Sequence, residues 1–242
     1  KITMEFDNFS RANNNRFNNL EVSHSWPLLM RKVYTWMAMA LTITGVVAYG
    51  VSTSTAMLMM LYNSMAPLLI CSLAELGIVF YLSARIEKLS LTSATMWFII
   101  FSILNGVTMA WIFIVYTATS IAQTFFITAG TFAAMAIVGS TTKKDLTQIG
   151  GILFMALIGL IIAVIVNIFL RSPMVNLIIS GVGVLIFTGL TAWDAQKIKR
   201  MVMSAPDANE SAQKMALLGS LNLYLDFINL FLYLLRFLGK KN

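Results

Sequence analysis

The stretch LNLYLDFINLFLYLLRFLG, residues 221–239, carries polar side chains at Asn222, Asp226, Asn229, Tyr233 and Arg236, with little but Leu, Phe and Ile between them. Intervals of 4, 3, 4 and 3 put these residues on one narrow stripe of an α-helix, and Gly219 extends the stripe by one more step. The remaining faces are apolar, so the helix is solvated by lipid or by other helices, and its polar stripe has to turn towards protein. At about 1.5 Å per residue, a helix over 217–238 is long enough to cross a hydrocarbon core of about 30 Å.

Six further runs of similar length lie upstream, near 33–51, 66–83, 93–115, 121–139, 149–170 and 174–193. Hydrophobic types make up 58% of the 242 residues and charged types 11%, with a mean hydropathy of +0.80, which excludes an ordinary water-soluble domain. No segments of about ten residues with alternating polarity point to a β-barrel. The expected fold class is therefore all-α integral membrane, with seven transmembrane helices over 31–239. A polar N-terminal arm (1–30) precedes them and a short tail (240–242) follows. The arm, rich in asparagine at 13–15 and 18–19, reads as mobile and does not have the pattern of a cleavable leader. Cys71 reads as a small apolar side chain and His24 as solvated.

A net charge of +7 reports topology here, and no nucleic-acid partner is expected. Lys and Arg precede the first span (Arg31, Lys32) and follow the second (Arg85, Lys88), fourth (Lys143, Lys144) and sixth (Lys197, Lys199, Arg200). The loops near 52–65 and 116–120 have none, and the turn at 171–173 has only Arg171. This alternation predicts a cytoplasmic N-terminus. Arg236, Lys240 and Lys241 break the pattern if the last segment crosses fully; a re-entrant segment would keep them cytoplasmic. Seven full spans is the expectation, with residues 195–214 as a cytoplasmic loop that starts as helix.

Ionisable residues inside a span are costly and mark function by default. Glu75 in the second span, Asp194 at the end of the sixth and Asp226 in the seventh qualify. Thr188, Thr191 and Asp194 share one side of the sixth span, and two carboxyls on adjacent helices that share a proton titrate as a unit. Depth argues against contact. With a seventh helix starting near Leu217, Asp226 lies roughly 14 Å in, whereas Asp194 sits near its helix end, so tilt or a later start would have to close the gap. Asn222 and Asn229 read equally as pathway lining or as interhelical packing. Asn105 with Ser102 and Thr108, and Thr124, Thr128 and Thr131, are further candidates for a polar interior.

TAWDAQKIKR at 191–200 followed by LYLDFINLFLYLLRFLG at 223–239 closely resembles the signature of the Bax inhibitor-1 family, the transmembrane Bax-inhibitor-motif proteins, and AEL at 74–76 agrees in order. The resemblance runs from about 30 to 240. It implies six helices around a central seventh, with Asp194 and Asp226 as a pH-sensing pair near the cytoplasmic side. It also implies Glu75 as the acidic residue of the second helix and Arg85 as the nearest candidate for a gating base. It further implies pH-dependent calcium leak, suppression of cell death in eukaryotic members, and regulation of a membrane protease by some bacterial ones. The Asn-rich arm and short chain suggest a bacterial member in the inner membrane.

The leading expectation is a cation leak channel, with Ca²⁺ as permeant ion and H⁺ as the gating ligand. Glu75, Asn222, Asn229 and Tyr233 would line the path, and Glu75, Asp194 and Asp226 would form at most a weak transit set for Ca²⁺. The alternatives are a proton-coupled cation transporter, which usually shows inverted repeats that are not evident here, and a non-conducting modulator of a partner membrane protein. An enzyme is not expected: Asp226 sits in Leu-Asp-Phe and Gly181-Val182-Gly183 is followed by Val184, unlike the Gly-x-Gly-Asp context of intramembrane aspartyl proteases. No cofactor is expected.

Overall fold

The computed structural model describes residues 2–205 and 207–242, with side chains for 26–61, 63–205 and 207–242. Lys1 and the side chains of the arm, including Arg11, Arg16 and His24, lie outside the described residues. The elements in chain order are α1 (Ile2–Thr53), α2 (Thr55–Tyr62), α3 (Met65–Arg85), α4 (Leu91–Met109), α5 (Trp111–Val115), α6 (Ala118–Thr141), α7 (Thr147–Leu170), α8 (Pro173–Met203) and α9 (Glu210–Leu238). Among the described residues there is no strand. Among them seven helical stretches are long and apolar enough to cross a membrane: Trp26–Thr53, Met65–Arg85, Leu91–Val115, Ala118–Thr141, Thr147–Leu170, Pro173–Met203 and Glu210–Leu238.

Local chemistry sets the boundaries. Arg171 ends α7 in the left-handed region at φ 50°, its N–H donating to Asn167 O at 2.8 Å. Ser172 then caps α8 by accepting from Val175 N, and Pro173 occupies the first turn, where its missing N–H costs nothing. Asn209 caps α9 by accepting from Ala212 N at 2.9 Å. The third span is interrupted at Ala110, where α4 gives way to α5.

The segment 195–214, expected as a loop that starts as helix, is helical at both ends. Beyond the apolar stretch α8 continues to Met203 because Ala195, Gln196, Ile198 and Val202 repeat at helical spacing and are buried, and α9 begins at Glu210, seven residues before Leu217. Only 204–209 connects the two.

The basic connections gather at one end of the bundle. Lys214 Nζ donates to Glu87 O and Leu89 O, both at 3.0 Å, and Glu210 Oε1 accepts from Leu91 N at 2.9 Å, so the start of α9 holds the α3–α4 turn. Lys32 donates to Gln213 at 2.7 Å, and Gln196 bridges Lys144 O and Leu146 N. Arg200 pairs with Asp145 at 2.9 Å. Asp145 also accepts from Thr147, and these partners hold its exposed carboxyl down to about 2. At the far end, the tail after α9 pairs with the α5–α6 connection: Thr117 N donates to Lys240 O at 3.1 Å and Asn242 N to Val115 O at 3.0 Å. The last segment therefore runs as one helix from the basic end of the bundle to the far end.

Helix α9 is the most enclosed span, with 67% of its apolar stretch buried against 6% for α7. α1, α4, α6 and α8 pack along it. α3 lies mainly on α4 and α7 on α8, so four of the expected six helices flank the seventh closely. The outer faces present large apolar side chains such as Phe126, Phe169 and Leu185, as a lipid-solvated surface does.

Candidate functional site

Two polar centres lie against α9. The first uses the stripe at Gly219, Asp226 and Tyr233, which faces α8. Gly219 lies against Ile198, and a methyl placed on Gly183 would come within 2.6 Å of the Tyr233 ring, which also stacks on Phe187 at 5.6 Å. These two contacts fix the register of the antiparallel pair, leaving Asp194 about one turn nearer the α8–α9 connection than Asp226. Each Cα–Cβ bond leans towards its own helix N-terminus, so Asp226 leans towards the connection and Asp194 away from it. The carboxyls converge within side-chain hydrogen-bonding reach of each other. The depth gap expected from sequence closes because α8 continues nine residues past Asp194, not through a later start of α9.

Asp226 is 6% exposed, and its Oδ2 is buried without a hydrogen-bond partner among the described residues. Two ionised carboxylates offer four acceptors and no donor between them, whereas one shared proton supplies the donor. Lys197, one turn along α8 from Asp194, places its ammonium over the Trp193 ring at 5.1 Å.

The second centre holds Glu75. Thr108 Oγ1 donates to Glu75 Oε1 at 2.8 Å and Asn105 Nδ2 to Oε2 at 3.2 Å. Asn105 Oδ1 accepts from the Tyr224 hydroxyl at 2.9 Å, and that hydroxyl meets Thr44 Oγ1 at 2.7 Å. Thr44 also donates to Ser102 O at 2.9 Å. The chain of hydroxyls and amide thus ties α3, α4, α9 and α1 together through one carboxyl. The two hydroxyls carry one hydrogen each for three contacts: when Tyr224 donates to Asn105 and Thr44 to Ser102 O, the 2.7 Å contact between them holds no hydrogen, and when one donates to the other an end acceptor goes without. Tyr224 is fully buried, with the edges of Phe98 and Phe101 against its ring.

The remaining sequence candidates divide. Asn229 donates to Leu225 O on its own helix at 2.8 Å, and Asn222 and Tyr233 are half-buried. Thr124 and Thr128 are buried, and Thr128 bonds back to Thr124 O. Arg85 is exposed in the last turn of α3, at the basic end, and forms no salt bridge among the described residues. Glu75 does not join the aspartates: no group of three His, Cys, Asp or Glu able to hold a metal occurs among the described residues. Glu75 on one side of α9 and the Asp194–Asp226 pair on the other are two separate carboxylate centres.

Sequence reasoning missed Tyr224 and Thr44. Tyr224 falls between the teeth of the 4-3 pattern, among leucines, where an aromatic ring passes for lipid-facing. The usable signal was its hydroxyl at mid-span, a polar tip that needs a partner once buried.

A family model described as inhibitor of apoptosis-promoting Bax1 matches residues 27–242. The chain is 46% identical over 213 residues to the inner membrane protein YbhL of Escherichia coli (strain K12), covering 88% of this chain and 91% of that one. It is 45% identical over 212 residues to an uncharacterized protein of Borreliella burgdorferi, with 88% and 91% covered. It is 42% identical over 212 residues to the uncharacterized protein RP147 of Rickettsia prowazekii, with 88% and 89% covered.

Proposed function

Since this chain belongs to the Bax inhibitor family, we propose that it is a pH-sensitive cation leak channel of a bacterial inner membrane, with Ca²⁺ as permeant ion and the Asp194–Asp226 pair as its gate. The observation that carries the reading is the convergence of two carboxyls from facing spans, one of them with a buried oxygen that has no hydrogen-bond partner among the described residues. With one proton between them the carboxyls hydrogen-bond and hold α8 to α9. Loss of that proton sets two like charges side by side in a medium of low dielectric, where their repulsion is worth several kcal/mol. The pair then drives the helices apart.

Glu75 is the second station in this reading. Its carboxyl, held by Asn105 and Thr108, supplies oxygen ligands for an ion in transit, and water completes the coordination that two stations cannot. The basic end faces the cytoplasm by the positive-inside rule, so α1 starts on the cytoplasmic side and the tail ends outside. The inner membrane follows the location in YbhL's name. No resident cofactor and no catalytic step enter the mechanism.

The test is flux. Purified protein in liposomes should release Ca²⁺ with a rate that changes sigmoidally with pH, compared against K⁺ and H⁺. Absence of protein-dependent ion flux at every pH would remove the channel reading and leave a non-conducting role through partner proteins.

A further inference from the structure

At the far end of the bundle, α7, α8, the α5–α6 connection and the tail enclose an open cavity of about 580 Å³. Three cations from three separate segments reach it: Arg171 from the α7–α8 turn, Arg236 from the last turn of α9 and Lys241 from the tail. No Asp or Glu lines the cavity, and none of the three cations forms a salt bridge among the described residues. The guanidinium of Arg236 lies over the Tyr233 ring at 5.5 Å, which covers its face and leaves its in-plane N–H donors free. α8 begins at the same cavity, with Ser172 at its cap, and adds the partial positive charge of a helix N-terminus. Like charges brought together without a counter-charge repel, and an anion between them removes that cost.

The rest of the lining says which kind of anion. Trp111 and Tyr116 stand at the cavity, the aromatic types that mark the headgroup level of a membrane protein. Below them Val164, Ile168 and Ile179 carry an apolar wall along α7 and α8, and Ile168 is open to the lipid side. A small soluble anion would use the cations and leave this wall without purpose. An amphiphile uses both: a guanidinium fork matches phosphate oxygens, and an acyl chain fits against apolar helix faces.

We propose that this cavity binds the phosphate headgroup of an anionic phospholipid through Arg171, Arg236 and Lys241, with an acyl chain lying along α7 and α8. The inference stands apart from the channel reading, since it concerns neither carboxylate centre and holds whether or not the protein conducts.

The experiment uses the full chain purified in detergent and titrated with phosphatidylglycerol or phosphatidylcholine, read by native mass spectrometry and by thermal melting. Phosphatidylglycerol should be retained and should raise the melting temperature more than phosphatidylcholine does. The triple variant R171Q/R236Q/K241Q should bind phosphatidylglycerol roughly tenfold or more weakly and lose the difference between the lipids. Lys240→Gln, which changes a neighbouring exposed cation outside the cavity, should keep the difference. Should the triple variant fail to fold, the three single variants serve, each expected to lose part of the selectivity. Unchanged selectivity in the triple or in all three singles overturns the proposal, as does an equal loss in Lys240→Gln. Displacement of the lipid by millimolar inorganic phosphate overturns it too, because that assigns the cations to a soluble anion.

Discussion

Tyr224 and Asp226 stand two residues apart on α9, about 160° apart around the helix axis, and each anchors a different polar centre. Tyr224 reaches Asn105 and through it Glu75, while Asp226 meets Asp194 on the other side. α9 is the element through which the two carboxylate centres can communicate: a rotation that relaxes one contact displaces the other.

The aspartate pair is tested by charge removal at constant size. Asp194→Asn and Asp226→Asn should each flatten the pH profile of Ca²⁺ efflux from liposomes, and the double variant should add little, because residues acting as one unit are not additive. Asparagine keeps a hydrogen-bond donor in the pair, so a flattened profile reports the lost charge. A single variant with the wild-type profile defeats the shared-proton gate.

Tyr224→Phe keeps the ring between Phe98 and Phe101 but removes the hydroxyl, leaving Asn105 Oδ1 without its donor. The expected loss is about 1–3 kcal/mol of stability, the cost of an unsatisfied buried group, read as a lower melting temperature. Glu75→Gln in the Tyr224→Phe background should change flux by less than it does alone, since the two share one hydrogen-bond chain. Strict additivity would disconnect Tyr224 from Glu75.

Gly183→Ala puts a methyl 2.6 Å from the Tyr233 ring, so the ring or the helix must move, at a cost of about 1–3 kcal/mol. Because this contact helps set the α8–α9 register, the variant should also shift the midpoint of the pH profile. Gly181→Ala, whose nearest neighbour would be the Phe237 ring at 3.9 Å, is the control and should do neither.

Asp145 separates the loops from the gate. Its carboxyl is held down to about 2 by Thr147 and Arg200, so whatever the contact contributes is fully present above the usual carboxylate range and is lost only as pH falls towards 2. Asp145→Asn should therefore leave the pH profile of flux unchanged near neutrality. A shifted midpoint in that variant would move pH sensing out of the membrane and into the α6–α7 connection.

Of the α9 stripe Gly219 and Asp226 are buried, Asn222, Asn229 and Tyr233 half-buried and Arg236 exposed; the seven spans were legible because a membrane imposes run length directly on sequence. The ends of α8 and α9 were not. Hydropathy falls off where the apolar runs end, whereas the helices stop where Asn209 caps one and Ser204 closes the other, several residues further along. That extension decides whether Asp194 lies at a helix end or within one, and so whether it can meet Asp226. At the second centre the sequence grouped Asn105 with Ser102 and Thr108 as a polar interior, and of these Asn105 and Thr108 donate to Glu75 while Ser102 bonds back to Phe98 O. Their acceptor Glu75 and the link through Tyr224 to Thr44 are long-range pairings, set by how α3, α9 and α1 sit against α4.

The backbone clasp between the tail and the α5–α6 connection has a mechanical consequence. At its start α9 is tied to the α3–α4 turn through Lys214 and Glu210, and past its end the chain is tied through Thr117 and Asn242. A rod fastened at both ends cannot slide like a piston along the membrane normal. It can only twist or bow at its middle, and the middle is where Tyr224 and Asp226 sit.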